Sequence, residues 1–522
     1  MSEANALQMK RLPSAGVKLV SNSRWNLLAF GVSLVVNFAT IPIVISVIGL
    51  TAFGVGGLVQ AIYAPFMLIG TVLGQAMVKE LAPSLAVTTG DTKHPTSIFS
   101  AGLFLCLTGG VVVAVFMTLA AEAAVRTFSA EAATSVNWRL AFFIAGLGWI
   151  AQQLILVLQA AVVATQRYAA LATLTVISAI ASATAVVAGS MWMPGPLGFL
   201  IGTSVGFAIS LALWLLLARK ELSFMFPLSR FGKQDLLTIA KFGKWQGGAQ
   251  FAGAFANQID RYVLGIIAPL SVVGQYNVAM RLQEVVHMGL LKATEVLFPH
   301  FTVTANEPIK VRASFFIQVS WILNVLGACA LAPLIPFAAD LLTLWVNPET
   351  AQGGAQMLRT LAAAGILGCG VNVYYYFAIG TGQGARIASL TMAHALLTVL
   401  LTMIAITAFG PLAAGAGYLV ANLFRLAASL WFTGQYFSGV LRLRDLLLCT
   451  LPPLISGLVV AYLFWSTQWF SPQTWGSLLT DYLLISCAVG LLALLSTIVS
   501  RPGRMLVHNT CTALRHIFLR QG

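Results

Sequence analysis

Residues 25–47 read WNLLAFGVSLVVNFATIPIVISV, a run without one charged side chain. Coiled as a helix at about 1.5 Å per residue, such a run spans the roughly 30 Å hydrocarbon core of a bilayer. It lacks the period-2 alternation over about 10 residues that a membrane β-strand shows. The polar residues 1–24 lead straight into it, the pattern of an uncleaved first span rather than of a secretory signal peptide. Moving outward, the same kind of run recurs. Candidate spans fall at 25–47, 52–77, 98–120, 139–161, 169–189, 196–217, 245–267, 274–299, 314–338, 358–380, 387–408, 412–434, 450–466 and 482–500. Across the chain 59% of residues are hydrophobic and 8% are charged, against about a quarter charged in a soluble domain. The expectation is an all-α polytopic membrane protein with fourteen transmembrane helices.

Net charge is +14. In a soluble protein that would suggest nucleic acid; here it describes orientation, and no nucleic-acid partner is expected. With the N-terminus in the cytoplasm, 22 of the 29 Lys and Arg residues fall on that side, from Lys10 and Arg11 to Arg515 and Arg520. Only Arg126, Arg139 and Arg359 fall on the other face. A miscount by one span would destroy this alternation, so the pattern predicts both the number of crossings and two cytoplasmic termini.

The longest cytoplasmic connection, 218–244, contains Phe231–Leu237, which reads as a short interfacial helix. It separates an N-terminal lobe, 1–217 with spans one to six, from a C-terminal lobe, 245–434 with spans seven to twelve. Residues 435–500 hold spans thirteen and fourteen, and 501–522 form a basic tail. A shift of 220 positions lays Trp25 on Trp245, Asn37 on Asn257 and Gly54 on Gly274. Six spans per lobe put both lobes in the same orientation, as in repeats related by a pseudo-twofold along the membrane normal.

Ionisable residues inside spans are costly, about 2.5 kcal/mol or more for Arg, Lys or Asp at mid-bilayer, and normally face a bundle interior or a wet cavity. On a helical wheel Arg281, Glu284, Lys292 and Glu295 of span eight share an arc of about 80°, with Asn277 on the same side and His287 well off it. Arg281–Glu284 and Lys292–Glu295 are i,i+3 pairs that could simply neutralise one another; as one continuous stripe they could instead line a translocation path. Span seven carries Gln250, Asn257 and Asp260 on one face, with Arg261 at its edge. Asp260 and Arg261 could bond each other or reach span eight. Arg425 and Asn422 lie in span twelve, Asn37 in span one and Gln60 in span two. Arg24 stands at the cytoplasmic mouth of span one, either as a positive-inside anchor or as an entrance contact for an anion. The embedded cations Arg261, Arg281, Lys292 and Arg425 suit an anionic passenger such as a phosphate group.

Other chemistry is thinly represented. There is no Walker A motif, the six histidines lack metal-ligand spacing, and the six cysteines form neither C-x-x-C nor a disulfide framework. Neither a metal nor a cofactor is expected. The connecting loops are short, which leaves little room for a catalytic domain and argues against an enzyme.

Three stretches carry a resemblance. One is Ile41-Pro42 followed by Val47-Ile48-Gly49-Leu50-Thr51-Ala52-Phe53-Gly54. Another is Asn257-Gln258-Ile259-Asp260-Arg261-Tyr262-Val263-Leu264-Gly265. The third is Val273-Gly274-Gln275-Tyr276-Asn277-Val278-Ala279-Met280-Arg281-Leu282. They resemble the first hairpin, span seven and span eight of the bacterial polysaccharide-export or O-antigen flippases, a branch of the multidrug/oligosaccharidyl-lipid/polysaccharide exporter superfamily. The resemblance implies a two-lobed bundle with a central cavity lined by spans one, two, seven and eight. It implies alternating access that carries an undecaprenyl-diphosphate-linked oligosaccharide from the cytoplasmic to the periplasmic leaflet of the bacterial inner membrane. The expected partners are the lipid-linked oligosaccharide, membrane lipids, a glycan polymerase and chain-length machinery. Coupling would be to membrane potential or to an ion, H+ or Na+. Span two lacks the arginine cluster expected of a lipid II flippase. The alternatives are a multidrug/cation antiporter of the same superfamily, which should have an acid-dominated cavity, and a membrane glycan-processing enzyme.

Overall fold

The computed structural model describes residues 3–86, 93–125, 136–165, 167–221, 230–295, 301, 307–499 and 501–519. Among them every regular element is helical. The chain divides into two compact units, residues 1–251 and 252–522.

The first unit contains α1 (Glu3–Tyr63), α2 (Leu68–Ala86), α3 (Lys93–Val125), α4 (Trp138–Ala164), α5 (Tyr168–Trp192), α6 (Pro196–Glu221) and most of α7 (Lys233–Ala256). The apolar stretch 28–81 is 54 residues long, about 80 Å as a straight helix and far more than one crossing needs. It is interrupted twice. Gly49 has φ 77° and ψ 166°, a conformation that only glycine adopts without strain. No atom lies within 4 Å of where its Cβ would stand, so backbone conformation rather than space requires glycine there. Gly49→Val is expected to cost about 1–3 kcal/mol, read as a lower melting temperature of the purified protein; an unchanged melt would show that the turn tolerates a side chain.

The second break is a 3-10 turn at Ala64–Met67, opened by Pro65. Pro65 has no N–H and interrupts the helical ladder. Gln153 of α4, wholly buried, accepts the Gly70 N–H at 2.7 Å and reaches Met67 Sδ with its amide at 3.0 Å. The Tyr63 hydroxyl donates to the Phe142 carbonyl at 2.9 Å. Buried polar groups must find partners, and α4 supplies them. Close to this, α5 and α6 meet through small residues. A Cβ on Gly202 would lie 2.6 Å from the Ala185 carbonyl oxygen, and one on Gly206 would lie 2.9 Å from Ser182 Cα. Backbones approach this closely in membranes only where side chains are minimal.

The second unit contains α8 (Ile259–Ile267), α9 (Leu270–Glu295), α10 (Ile309–Leu331), α11 (Ala338–Trp345), α12 (Pro348–Gly380), α13 (Gly384–Phe409), α14 (Ala416–Tyr436), α15 (Leu443–Thr467), α16 (Trp475–Ile498) and α17 (Arg501–Leu519). Its central member is α12, packed against α9, α10, α11 and α14. α15 and α16 dock on α10. There the Asn324 amide donates to the Cys449 carbonyl at 3.1 Å, Ser486 to Cys329 at 2.9 Å, and Tyr482 to the Ala330 carbonyl.

Eleven helical stretches among the described residues are long and apolar enough to cross a membrane, with 28–81 counted as one. The spans expected at 245–267 and 274–299 are not among them. The first is not one helix: it breaks at Asn257–Gln258 between α7 and α8. The second corresponds to α9, whose mean hydropathy is depressed by Gln275, Asn277, Arg281, Gln283 and Glu284. The short interfacial helix expected over Phe231–Leu237 is instead the start of α7, which runs unbroken from Lys233. Asp235 caps it by accepting the Gly232 N–H at 2.8 Å. Ile239 is buried, and with Phe231 and Leu236 it packs on the core of the first unit rather than facing lipid. The thirteenth span, expected at 450–466, begins earlier, at Leu443, with Pro452 and Pro453 inside the helix.

Candidate functional site in the second unit

The break at Asn257–Gln258 creates the site. It ends α7 and starts the short α8, placing Asp260 in the first turn of α8, where the helix dipole favours a negative charge. Asp260 is only 4% exposed. It accepts the Tyr276 hydroxyl of α9 at 2.7 Å and the Gly415 N–H at 3.3 Å. Gly415 has a left-handed φ of 92° and precedes α14, so one carboxylate joins three elements.

Arg261 is equally buried and points to α9. Its Nε donates to Asn277 Oδ1 at 2.6 Å, its Nη1 donates to Gln258 Oε1, and its Nη2 stands 3.7 Å from Glu284 Oε1. Its guanidinium carbon lies 5.9 Å from the centre of the Tyr276 ring, within cation–π range. The second oxygen of Glu284 meets Arg281 Nη1 at 3.4 Å. Exposure rises along this string: the side chains of Arg261, Glu284 and Arg281 are 7%, 33% and 53% exposed. Its inner end is a sealed hydrogen-bonded seam, and its outer end is a guanidinium with donors to spare. Asn277, Arg281 and Glu284 share one face of α9, since they are spaced four and three residues apart.

Asp260 and Arg261 therefore do not rely on each other; each reaches α9. The Arg281–Glu284 pair forms. The side chains of Arg24, Gln250, Lys292 and Glu295 lie outside the described residues. Asn257 is exposed in the turn before α8. In the first unit, Asn37 is exposed and donates to the Ser33 carbonyl of its own helix at 2.7 Å, while Gln60 is half-buried. Arg425 of α14 stays out of the Arg261 string. On the same helix the Tyr418 ring meets the His394 ring edge-on at 6.0 Å. Nothing in the sequence marked Gln258 or Gly415 as partners of Arg261 and Asp260. Gly415 is 155 positions from Asp260, and no local pattern marks such a contact.

These features define a multi-pass helical membrane protein with a buried polar seam between α8 and α9. The model of the family described as polysaccharide biosynthesis protein matches residues 19–304, more than half of the chain, and the protein belongs to that family. No curated protein matches it. Among solved structures it is similar to the lipid II flippase MurJ in an inward closed conformation, with a TM-score of 0.71 at 11% identity, covering 92% of this chain and 99% of that one. It is also similar to a multidrug resistance MATE family transporter of the MOP superfamily in an inward-facing conformation, with a TM-score of 0.66 at 15% identity over 78% of this chain and 95% of that one. A third is a MOP superfamily transporter from Pyrococcus furiosus described by a binding pocket of reverse polarity. Its TM-score is 0.58 at 15% identity, over 81% and 96% of the two chains. All three share the helical fold of this chain.

Proposed function

We propose that the protein flips an undecaprenyl-diphosphate-linked oligosaccharide repeat unit from the cytoplasmic to the periplasmic leaflet of the bacterial inner membrane, by alternating access, for O-antigen or exopolysaccharide synthesis. The observation that carries this reading, within a polysaccharide biosynthesis family, is the string from buried Arg261 through Glu284 to exposed Arg281. A sugar-diphosphate head cannot enter hydrocarbon without losing hydration worth many kcal/mol. A polar, partly cationic helix face offers it replacement contacts, with Arg281 able to bind phosphate oxygens in pairs. Fourteen crossings with both termini cytoplasmic follow if 28–81 crosses twice and if α7–α8 and α9 each cross once.

The test is a mass-spectrometric census of lipid-linked oligosaccharides in cells without the protein. Complete units should accumulate on the cytoplasmic side; an unchanged pool would remove the proposal. A glycan polymerase and chain-length machinery are the natural partners downstream. The rival reading, a cation antiporter, draws on the MATE likeness and would show as direct transport of a cationic dye. Glu284 is the candidate for coupling to H+ or Na+. Glu284→Gln is expected to alter the dependence of flipping on pH or sodium in proteoliposomes, and identical dependence would remove Glu284 from coupling.

A further inference from the structure

The end of the second unit where α16 finishes is strongly basic. α16 ends at Ile498 and α17 begins at Arg501, so α17 follows a membrane span almost at once. The starts of α10 and α15 lie at the same end. Trp321 Nε1 of α10 donates to Thr497 near the end of α16 at 3.1 Å, and Asn324 of α10 bonds Cys449 near the start of α15. Lys310, Arg442 and Arg444 are exposed at those starts. Against them stand Glu307, exposed, and Asp445, which caps its own helix by accepting the Arg442 N–H at 3.1 Å. Residues 482–522 hold no Asp or Glu, while Arg501, Arg504, Arg515 and Arg520 fall among them.

α17 is two-faced. At about 100° per residue, positions 501, 504, 508 and 515 fall within an arc of about 60°. Exposure follows that pattern: Arg504, Met505, His508 and Thr512 are exposed, whereas Gly503 and Thr510, on the opposite side, are buried. α17 packs on α16, α10 and α15, so the bundle rather than lipid covers its buried side. Arg504 is held in place. Its Nη1 donates to the Ile498 and Val499 carbonyls at 3.2 and 3.4 Å, the position where a helix dipole favours a cation. Capping α16 accounts for Nη1 alone, and it fixes the guanidinium level with the end of the span, where headgroups lie. Val499 and Met505 are 80% and 61% exposed. Exposed apolar side chains beside cations fit the boundary between headgroups and acyl chains, which lipid supplies and an acidic protein surface does not.

We propose that the basic face of α17 is a docking surface for anionic phospholipid headgroups. Orientation of the chain in the membrane needs only that cations fall on one side of it. It does not require them to share one helix face whose other side is packed on the bundle. The negative potential of an anionic leaflet attracts arginines just beyond a span and fades within a screening length, so closeness to the end of α16 is what makes these residues effective. Lipid bound there pins α17 and, through it, the ends of α16, α10 and α15. The proposal does not rest on the flippase reading: α17 follows α16 whichever way the chain is threaded, and either idea can fail without the other.

The test compares full-length protein in nanodiscs of phosphatidylcholine alone with the same protein in phosphatidylcholine containing phosphatidylglycerol, following amide hydrogen exchange in α17. Each arginine near an anionic surface strengthens attachment roughly fivefold. Exchange across α17 should therefore be roughly tenfold slower or more in the phosphatidylglycerol discs, while exchange in the central α12 should be the same in both. Sodium chloride at about 1 M, where the screening length is about 3 Å, should remove the difference. The triple variant Arg501→Gln, Arg504→Gln, Arg515→Gln should exchange alike in both discs. Should that variant prove unstable, Arg501→Gln with Arg515→Gln keeps the Arg504 cap and should still lose most of the slowing. Lysine at all three positions should preserve it, because charge rather than fork geometry carries the attraction. A phosphatidylglycerol effect undiminished in the glutamine variants overturns the proposal. So does equal exchange of the wild type in both discs, which would turn the basic face toward an acidic protein instead.

Discussion

Arg261→Ala is expected to lower the stability of the purified protein by about 3 kcal/mol, the scale seen when one member of a buried, hydrogen-bonded charge pair is removed. Arg261 is only 7% exposed in its side chain and satisfies three acceptors at once: Asn277, Gln258 and Glu284. Truncation leaves Asn277 and Gln258 unpaired in a buried seam and withdraws the inner partner of Glu284. Lysine would not repair the loss, because a single ammonium cannot reproduce a guanidinium fork. The measurement is apparent melting temperature in detergent, where the variant should melt several degrees earlier. A double-mutant cycle with Glu284→Ala should show coupling between the two positions. Wild-type melting in Arg261→Ala would mean that the seam does not hold α8 to α9.

Arg281→Ala should do the reverse. Its side chain is 53% exposed and makes one contact, at 3.4 Å, with Glu284. Its removal should change stability by no more than about 0.5 kcal/mol, as for exposed positions generally. Loss of a charge-assisted hydrogen bond to a phosphate oxygen is worth about 1.5–3 kcal/mol, or roughly ten- to a hundredfold in binding. Export of the lipid-linked unit at limiting substrate should fall accordingly, with normal protein levels and a normal melt. Equal export at equal protein level would take Arg281 out of substrate recognition. Together the two variants divide the string: loss of export caused by unfolding belongs at its inner end, and loss of export in a stable protein belongs at its outer end.

Much of the helical architecture was readable because its signal is local. An uncharged run such as 25–47 is long enough to cross and reports that directly. The grouping of Asn277, Arg281 and Glu284 on one face was also readable, since 100° per residue places them there without knowledge of any neighbour. The breaks were less legible. A proline inside a helix is the usual place for a kink, yet in α1 the residue that leaves helical φ and ψ is not Pro42 but Gly49. Span seven read as one apolar segment, yet it breaks at Asn257–Gln258 because Asp260 and Arg261 find partners on α9 and at Gly415.

By itself, then, the sequence determined that the chain is a multi-pass helical membrane protein and which residues share a helix face. Both follow from backbone hydrogen bonding in a medium without water and from helix periodicity. Only the tertiary structure decided which polar groups are sealed and which remain available. Gln153 accepts the Gly70 N–H from 83 residues away, just past the break at Ala64–Met67, and Asp260 binds Gly415 across 155 residues. The physical reason is that a buried polar group must be satisfied by whatever chain reaches it, and sequence separation carries no record of that distance.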